Sequence, residues 1–240
     1  MTLSKKGLNA SALKYIAIAA MFIDHSAHLF VPSDTVLYFV MRFIGRSTLP
    51  IMVFFISEGY HHTRNIRRYY LRMMTFAVIS HFAYSFCFLG VLFSVTKSSV
   101  ITTLTLCLLS VDILNNPKVR KAYKLPLILL VSYFAGHCDW GINAIAFTLA
   151  FELSRGNKKE QCIAYSIAAL WYCMPALASV FHGDLSVFVR NLMKLGVFVP
   201  GVLLLTYNGE KGGGKYTKWV FYIFYPLHLL LLGAVNYYIV

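Results

Sequence analysis

Apolar residues recur along the whole chain in long runs that are separated by short polar stretches. An α-helix needs about 20 apolar residues, at about 1.5 Å each, to cross a bilayer, and most of these runs are near that length. The pattern therefore predicts an all-α, polytopic membrane helix bundle with about nine transmembrane helices, formed as a single integral-membrane domain over residues 1–240. The predicted segments are 11–31, 35–60, 69–93, 98–114, 122–137, 140–154, 161–181, 186–206 and 218–240.

Positively charged residues gather in loops that a nine-span arrangement places on one side of the membrane. These loops follow the even-numbered segments and, with the N-terminal stretch, carry 17 of the 22 lysine and arginine residues. The opposite loops are short and carry Asp34, Asp139 and Asp184, with Lys97 as the main basic exception. Because cytoplasmic loops are enriched in lysine and arginine, the pattern predicts a cytoplasmic N-terminus and an external C-terminus.

The composition agrees with a membrane protein and narrows the classes of partner. Hydrophobic residues make up 58% of the chain and charged residues 13%, whereas about a quarter of a soluble domain is charged. The formal charge of +13 lies mostly between the apolar runs, so it indicates topology and no nucleic-acid partner is expected. The five cysteines lack metal-site spacing and the eight histidines include no His-x-x-x-His pair, so we expect no metal site.

The first predicted segment carries ionisable residues in the stretch AAMFIDHSAHLF. By helical rise, His25 lies about 20 Å into the membrane from the cytoplasmic side, with Asp24 beside it. The second segment carries Arg42 and Arg46, which are four residues apart and therefore share a helix face. Asp24 lies at a comparable depth and is the predicted counter-charge for these arginines. Two interpretations stay open: an ion pair that only joins the two helices, or a polar cavity for chemistry.

Further polar residues lie inside or beside the apolar runs. Glu58 lies near the cytoplasmic end of the second segment, while Tyr225 and His228 form a polar notch near the middle of the last one. A basic surface follows the second segment and could serve topology, lipid contact or phosphate binding. This surface contains His61, His62, Arg64, Arg67, Arg68 and Arg72.

The sequence resembles the TraX family over nearly its whole length, through four stretches in a fixed order. They are MFIDH in the first segment, RFIGRSTLPIMVFFISEGYHHTRN through the second, YYLR at the start of the third, and YNGEKGG followed by FYIFYPLHLLLL near the end. The resemblance implies a membrane-embedded acyltransferase domain in a bacterial plasma (inner) membrane. It implies transfer of acetyl from cytoplasmic acetyl-CoA to an amine, on a peptide or pilin N-terminus or a small molecule, or to a hydroxyl acceptor.

The positions that match the family's motifs supply the expected site residues. The expected catalytic residues are Asp24, His25, Arg42, Arg46, Tyr225 and His228. The expected acetyl-CoA-binding residues are Glu58, His62, Thr63, Arg64, Asn65, Tyr70, Arg72 and Asn208. His25 would take the proton from the attacking amine or hydroxyl, or would itself carry the acetyl group. Arg42, Arg46 or Tyr225 would stabilise the oxyanion.

A transporter or channel is the alternative function, because ionisable residues inside a membrane also line substrate pathways. Broken helices and paired repeats would favour transport, and the sequence shows no internal repeat. For the acyltransferase, the expected partners are acyl-CoA, a small-molecule or peptide acceptor and the lipid bilayer.

Overall fold

The regular structure of the chain is helical. The computed structural model describes residues 6–181, 187–188, 191–214 and 216–239. Within these ranges the only strand-like pairs are two isolated bridges, Leu8–Tyr207 and Ser98–Cys138. The helices are α1 Ala10–Phe30, α2 Val36–Gly45, α3 Thr48–His62, α4 Ile66–Leu89, α5 Val100–Asn115, α6 Lys121–Ala135, α7 Gly141–Leu153, α8 Lys158–Phe181, a 3₁₀ helix Leu192–Phe198, α9 Val199–Leu205 and α10 Thr217–Tyr238.

Three of the described helical stretches are long and apolar enough to cross a membrane. They are Val36–His62, Ile66–Leu89 and Thr217–Tyr238. Val100–Asn115 and Gly141–Leu153 are apolar but shorter. The all-helical prediction and its membrane character are therefore confirmed at this level, while the count of nine spans and the cytoplasmic N-terminus stay predictions.

The second predicted segment, 35–60, differs from the structure because it contains two helices. The first, α2, ends at Gly45, and α3 begins at Thr48. Pro50 explains the interruption, since it has no N–H to donate to the carbonyl of Arg46. Parts of other predictions, including Asp184 in its predicted external loop, lie outside the described residues.

The chain divides into two compact units, of which the first comprises Met1–Ile51 and Ala169–Phe224. In this unit α1 packs against α2, and α2 packs against the 3₁₀ helix. The side chain of Asn9 caps α1 by accepting a hydrogen bond from the Ala12 N–H at 2.9 Å. The loop before α10 folds against this helix start, because its carbonyls accept the N–H groups of the first α1 residues.

The second unit comprises Met52–Ala168 and Tyr225–Val240. Its central helix is α5, which packs against α4, α6 and α7. Leu108 and Val111 of α5 and Phe147 of α7 are completely buried, so the core of this unit lies along α5. That these two units belong to a single membrane domain over residues 1–240 stays a prediction.

Candidate functional site

An acidic side chain on α1 lies between Arg42 of α2 and Arg46, the residue that follows α2, in the first unit. Asp24 Oδ2 accepts a hydrogen bond from Arg42 Nη1 at 2.7 Å, and Oδ1 accepts one from Arg46 Nη2 at 2.9 Å. The Asp24 side chain is 14% exposed, and those of Arg42 and Arg46 are 17% and 12% exposed. Charge-assisted bonds in such a partly dehydrated setting are strong, and the loss of one partner leaves a costly buried charge.

The local sequence explains why α1 and α2 approach so closely at this point. A Cβ atom at Gly45 would overlap the Asp24 carboxylate, so only glycine leaves room for the ion pair. At the start of α3, Thr48 Oγ1 donates a hydrogen bond to the Ala17 carbonyl of α1 at 3.1 Å. The ion pair therefore fixes α1 against the end of α2, and this buried hydroxyl fixes α1 against the start of α3.

Two further side chains of the first unit extend this ion pair. Arg46 Nη1 donates a hydrogen bond to the Tyr172 hydroxyl at 3.2 Å. Lys194 Nζ, on the 3₁₀ helix, lies 5.9 Å from the centre of the Tyr172 ring. Together these side chains form the Asp24 cluster, which comprises Asp24, Arg42, Arg46, Tyr172 and Lys194.

His25 follows Asp24 on α1 and is therefore turned about 100° around the helix from it. It is partly buried, whereas His28 on the same helix is exposed. A partly exposed imidazole is open to approach by a reacting group, as a general base requires.

Two of the expected catalytic residues lie on α10 in the second unit. Tyr225 and His228 are 1% and 3% exposed, and their ring centres lie 5.5 Å apart. The Tyr225 hydroxyl accepts a hydrogen bond from the N–H of Val100, the first residue of α5, at 3.3 Å. It thus satisfies one of the N–H groups that have no partner at a helix start. The six expected catalytic residues divide four to two between the first and second units.

Seven of the eight residues expected to bind acetyl-CoA lie where α3 ends and α4 begins, in the second unit. Asn65 caps α4 by accepting a hydrogen bond from the Arg68 N–H at 3.0 Å. Thr63 Oγ1 donates to the Asn65 carbonyl at 3.4 Å, and His62 is exposed. Arg64 lies between these turn residues and is also exposed. Thr63 and Asn65 therefore shape the turn, and Arg64 projects from it.

The other expected acetyl-CoA ligands have diverse surroundings. Glu58 Oε1 accepts a hydrogen bond from Arg155 Nη2 at 3.2 Å. The Arg72 guanidinium lies 5.6 Å from the Tyr69 ring centre, and its buried Nε has no hydrogen-bond partner among the described residues. Asn208, the eighth expected ligand, belongs to the first unit. Its backbone N–H donates a hydrogen bond to the carbonyl of Leu8, just before α1, at 3.0 Å.

Asp112 of α5 accepts hydrogen bonds from two tyrosines, one on each side of the turn between α3 and α4. Its Oδ1 accepts a hydrogen bond from the Tyr60 hydroxyl at 3.0 Å, and its Oδ2 accepts one from the Tyr70 hydroxyl at 3.3 Å. Tyr70, an expected acetyl-CoA ligand, therefore already has an acceptor within the protein.

Glu152 of α7 is a buried carboxylate with three side-chain partners. It is 9% exposed and accepts hydrogen bonds from Ser57 Oγ at 2.5 Å and Asn115 Nδ2 at 2.8 Å. His61 Nε2 lies 2.7 Å from Glu152 Oε1, and the His61 side chain is 25% exposed. A carboxylate bonded to one ring nitrogen orients an imidazole and fixes its tautomer.

A cavity of about 340 Å³ lies beside α4 and α5 in the second unit. His81, Ser98, Thr102 and Thr105 are the polar residues in its otherwise apolar lining. His81 Nδ1 lies 3.3 Å from Ser98 Oγ, while the buried Nε2 has no hydrogen-bond partner among the described residues. The cavity suits an apolar group that carries one polar atom.

Comparison with known proteins gives two matches that cover nearly the whole chain. A family model described as TraX protein matches residues 9–236. The chain belongs to the TraX family. It is 36% identical over 231 residues to a Dichelobacter nodosus protein described as "Probable fimbrial assembly protein FimC, serogroup H1", with 93% of this chain and 94% of that protein covered. No solved structure matches the chain.

The sequence of this TraX protein predicts the pairing of Asp24 with the arginines, but it does not predict several other polar contacts in the structure. Lys194 has a usable signal, because it is a lysine within a predicted apolar segment. Asp112 and Glu152 carry the same signal as acids near the ends of predicted segments. Tyr172 has no such signal, since a tyrosine in an apolar run is typical of a core.

Proposed function

We propose that this TraX protein is a membrane-embedded acetyltransferase that acts in fimbrial assembly. It would transfer acetyl from cytoplasmic acetyl-CoA to an amine or hydroxyl acceptor, as a multi-pass protein of the bacterial inner membrane. The resemblance to the TraX family implies the acetyl transfer, and the name of the fimbrial relative supports the part in fimbrial assembly. The observation that carries it is the Asp24 cluster, in which a partly buried carboxylate holds two guanidinium groups in place. Donors held in this way can stabilise negative charge that develops in a transition state.

The proposed reaction is attack of the acceptor on the thioester carbonyl. His25 accepts the proton as the acceptor nitrogen or oxygen bonds to the acetyl carbon. The carbonyl oxygen gains negative charge, which Arg42 or Arg46 stabilises before the carbon–sulfur bond breaks. The proton then passes to the CoA thiolate, so the products are acetylated acceptor and free CoA. Tyr225 bonds the start of α5, and we assign it no step.

The phosphates of acetyl-CoA would bind the basic turn between α3 and α4. Arg64, Arg67 and Arg68 are exposed there, and guanidinium groups bind phosphate oxygens in pairs. Arg72 adds a buried Nε without a partner among the described residues. Glu58 bonds Arg155 instead, so we assign it a part in shaping this surface.

The proposal is tested by mass spectrometry of reaction products. The full chain, purified in detergent, is incubated with isotopically labelled acetyl-CoA and a bacterial membrane or metabolite extract. We expect one acceptor to gain the mass of one labelled acetyl group and an equal amount of free CoA to form. The absence of both would contradict the proposal, and release of CoA without a labelled acceptor would indicate only thioester hydrolysis and contradict acetyl transfer.

A further inference from the structure

The Asp24 cluster contains more positive than negative charge. Its three cations accompany a single carboxylate, which leaves a formal excess of two positive charges. The other carboxylates in the described part of the first unit, Asp34 and Glu210, are exposed in loops. Excess positive charge that is partly buried among apolar helices is unfavourable unless an anion compensates it.

Lys194 is the cation that Asp24 does not neutralise. Arg42 Nη1 donates a hydrogen bond to Asp24 Oδ2, and Arg46 Nη2 donates to both Oδ1 and Oδ2 of the same carboxylate. Lys194 makes no salt bridge to a carboxylate of the described residues, and its ammonium lies beside the Tyr172 ring. The positive charge of Arg46 also repels it. Lys194 is therefore close to like charge and lacks an opposite charge within the described chain.

Arg42 provides a second unsatisfied position. Its Nη1 bonds Asp24, but its buried Nε has no hydrogen-bond partner among the residues that the structure describes. The guanidinium otherwise lies 5.8 Å from the centre of the Tyr38 ring. A buried donor without an acceptor is unfavourable, and an oxygen atom of a ligand would satisfy it.

We propose that the Asp24 cluster is an oxyanion-binding site, at which Lys194 and Arg42 recognise a carboxylate or phosphate group of a ligand. Lysine supplies a mobile point charge and arginine supplies directional donors, and both act strongly on oxyanions. A group with one or two negative charges brings the cluster close to neutrality. The source of the anion, which rests on the proposed function, is an acidic group of the acceptor or else a phosphate of CoA, and in the second case that phosphate lies here and not on the turn between α3 and α4.

The site is tested by equilibrium binding to the full chain purified in detergent. The probes are CoA, pantetheine (the thiol arm of CoA without its phosphates), inorganic phosphate and acetate. Lys194→Gln and Lys194→Met remove the charge, and Lys194→Arg keeps it. Lys97→Gln is the matched control, because Lys97 is an exposed lysine of the second unit. Thermal unfolding without any probe is measured for every variant.

We expect at least one anionic probe to bind the unmodified chain. Lys194→Gln and Lys194→Met should bind it about tenfold more weakly, while Lys194→Arg and Lys97→Gln should retain its affinity. A loss confined to CoA, with pantetheine unchanged, assigns the anion to CoA. A loss of phosphate or acetate binding with CoA unchanged assigns it to the acceptor. Without a probe, the two uncharged variants should unfold at or above the temperature of the unmodified chain, because they remove like-charge repulsion.

Three results would overturn the site. They are no anion binding by the unmodified chain, equal binding of every probe by both uncharged variants, and failure of both uncharged variants to fold, which would make Lys194 a structural residue. The labelled acetyl assay separates this outcome from the proposed function. Acetyl transfer with unchanged anion binding in Lys194→Gln removes the site alone, whereas anion binding through Lys194 without any acetyl transfer removes the acetyltransferase alone.

Discussion

Asp24 and Glu152 are both acidic side chains within apolar helices, but their surroundings differ. Asp24 accepts hydrogen bonds from cations, and the charge around it is not balanced within the described residues. Glu152 accepts hydrogen bonds from a hydroxyl and an amide and contacts an imidazole. The first arrangement favours a further anion, whereas the second satisfies its carboxylate internally. We therefore expect residue changes at Asp24 to alter ligand binding as well as stability, and changes at Glu152 to alter stability.

Glu152→Ala should lower the free energy of unfolding by about 2–4 kcal/mol. The change removes the acceptor of Ser57 and Asn115 and leaves a cavity where the Glu152 carboxylate lay. Thermal and denaturant unfolding in detergent measure the effect. Glu160→Ala is the control, because Glu160 is exposed at the start of α8. Equal stability of the two variants would show that the Glu152 contacts contribute little.

His25→Ala should lower acetyl transfer about 100-fold or more, which is the usual contribution of a general base. The variant should still elute as a folded protein, since its side chain is only partly buried. Labelled acetyl on the acceptor is the readout. His28→Ala, an exposed histidine of the same helix, is the control and should retain activity. Near-normal transfer by His25→Ala would remove His25 from the mechanism.

At the scale of elements, the apolar pattern predicts where helices lie but not how each is divided. The first predicted segment, 11–31, nearly coincides with α1, Ala10–Phe30. The segment 35–60 contains a break that hydropathy does not reveal, because Leu49 and Ile51 on either side of Pro50 are apolar and completely buried. Apolar length reports membrane or core character, whereas the break depends on one missing backbone donor.

Gly45→Ala should disturb the contact between α1 and α2. Its Cβ would overlap the Asp24 carboxylate, so the helices must separate or the ion pair must break. Overpacking of this kind lowers the free energy of unfolding by about 1–3 kcal/mol. Unfolding in detergent measures the effect, with Gly214→Ala as control, since a Cβ there meets no atom within 4 Å. If the two variants unfold alike, the close approach at Gly45 is not needed.

At the scale of the whole molecule, ion-pair partners that lie at the same depth on neighbouring helices can be predicted from the sequence. Hydrogen-bond partners that are far apart along the chain cannot. Asp24 and Arg42 are 18 residues apart and are predicted to pair from their depths alone. Arg46 and Tyr172 are 126 residues apart, and a tyrosine hydroxyl carries no charge that would point to its partner. Periodicity and charge define each helix, but the neighbours of a distant helix follow from packing alone.

The distribution of basic residues also predicts how the whole chain is oriented in the membrane. Because 17 of 22 lysine and arginine residues fall on one predicted side, that side should be cytoplasmic. Alkaline phosphatase, which needs disulfides that form outside the cytoplasm, should be active when fused after residue 240 and inactive when fused after residue 156. Green fluorescent protein at the same positions should give the opposite pattern. Three predicted crossings separate the two positions, so the same signal at both would mean an even number of crossings and would contradict the nine-span topology.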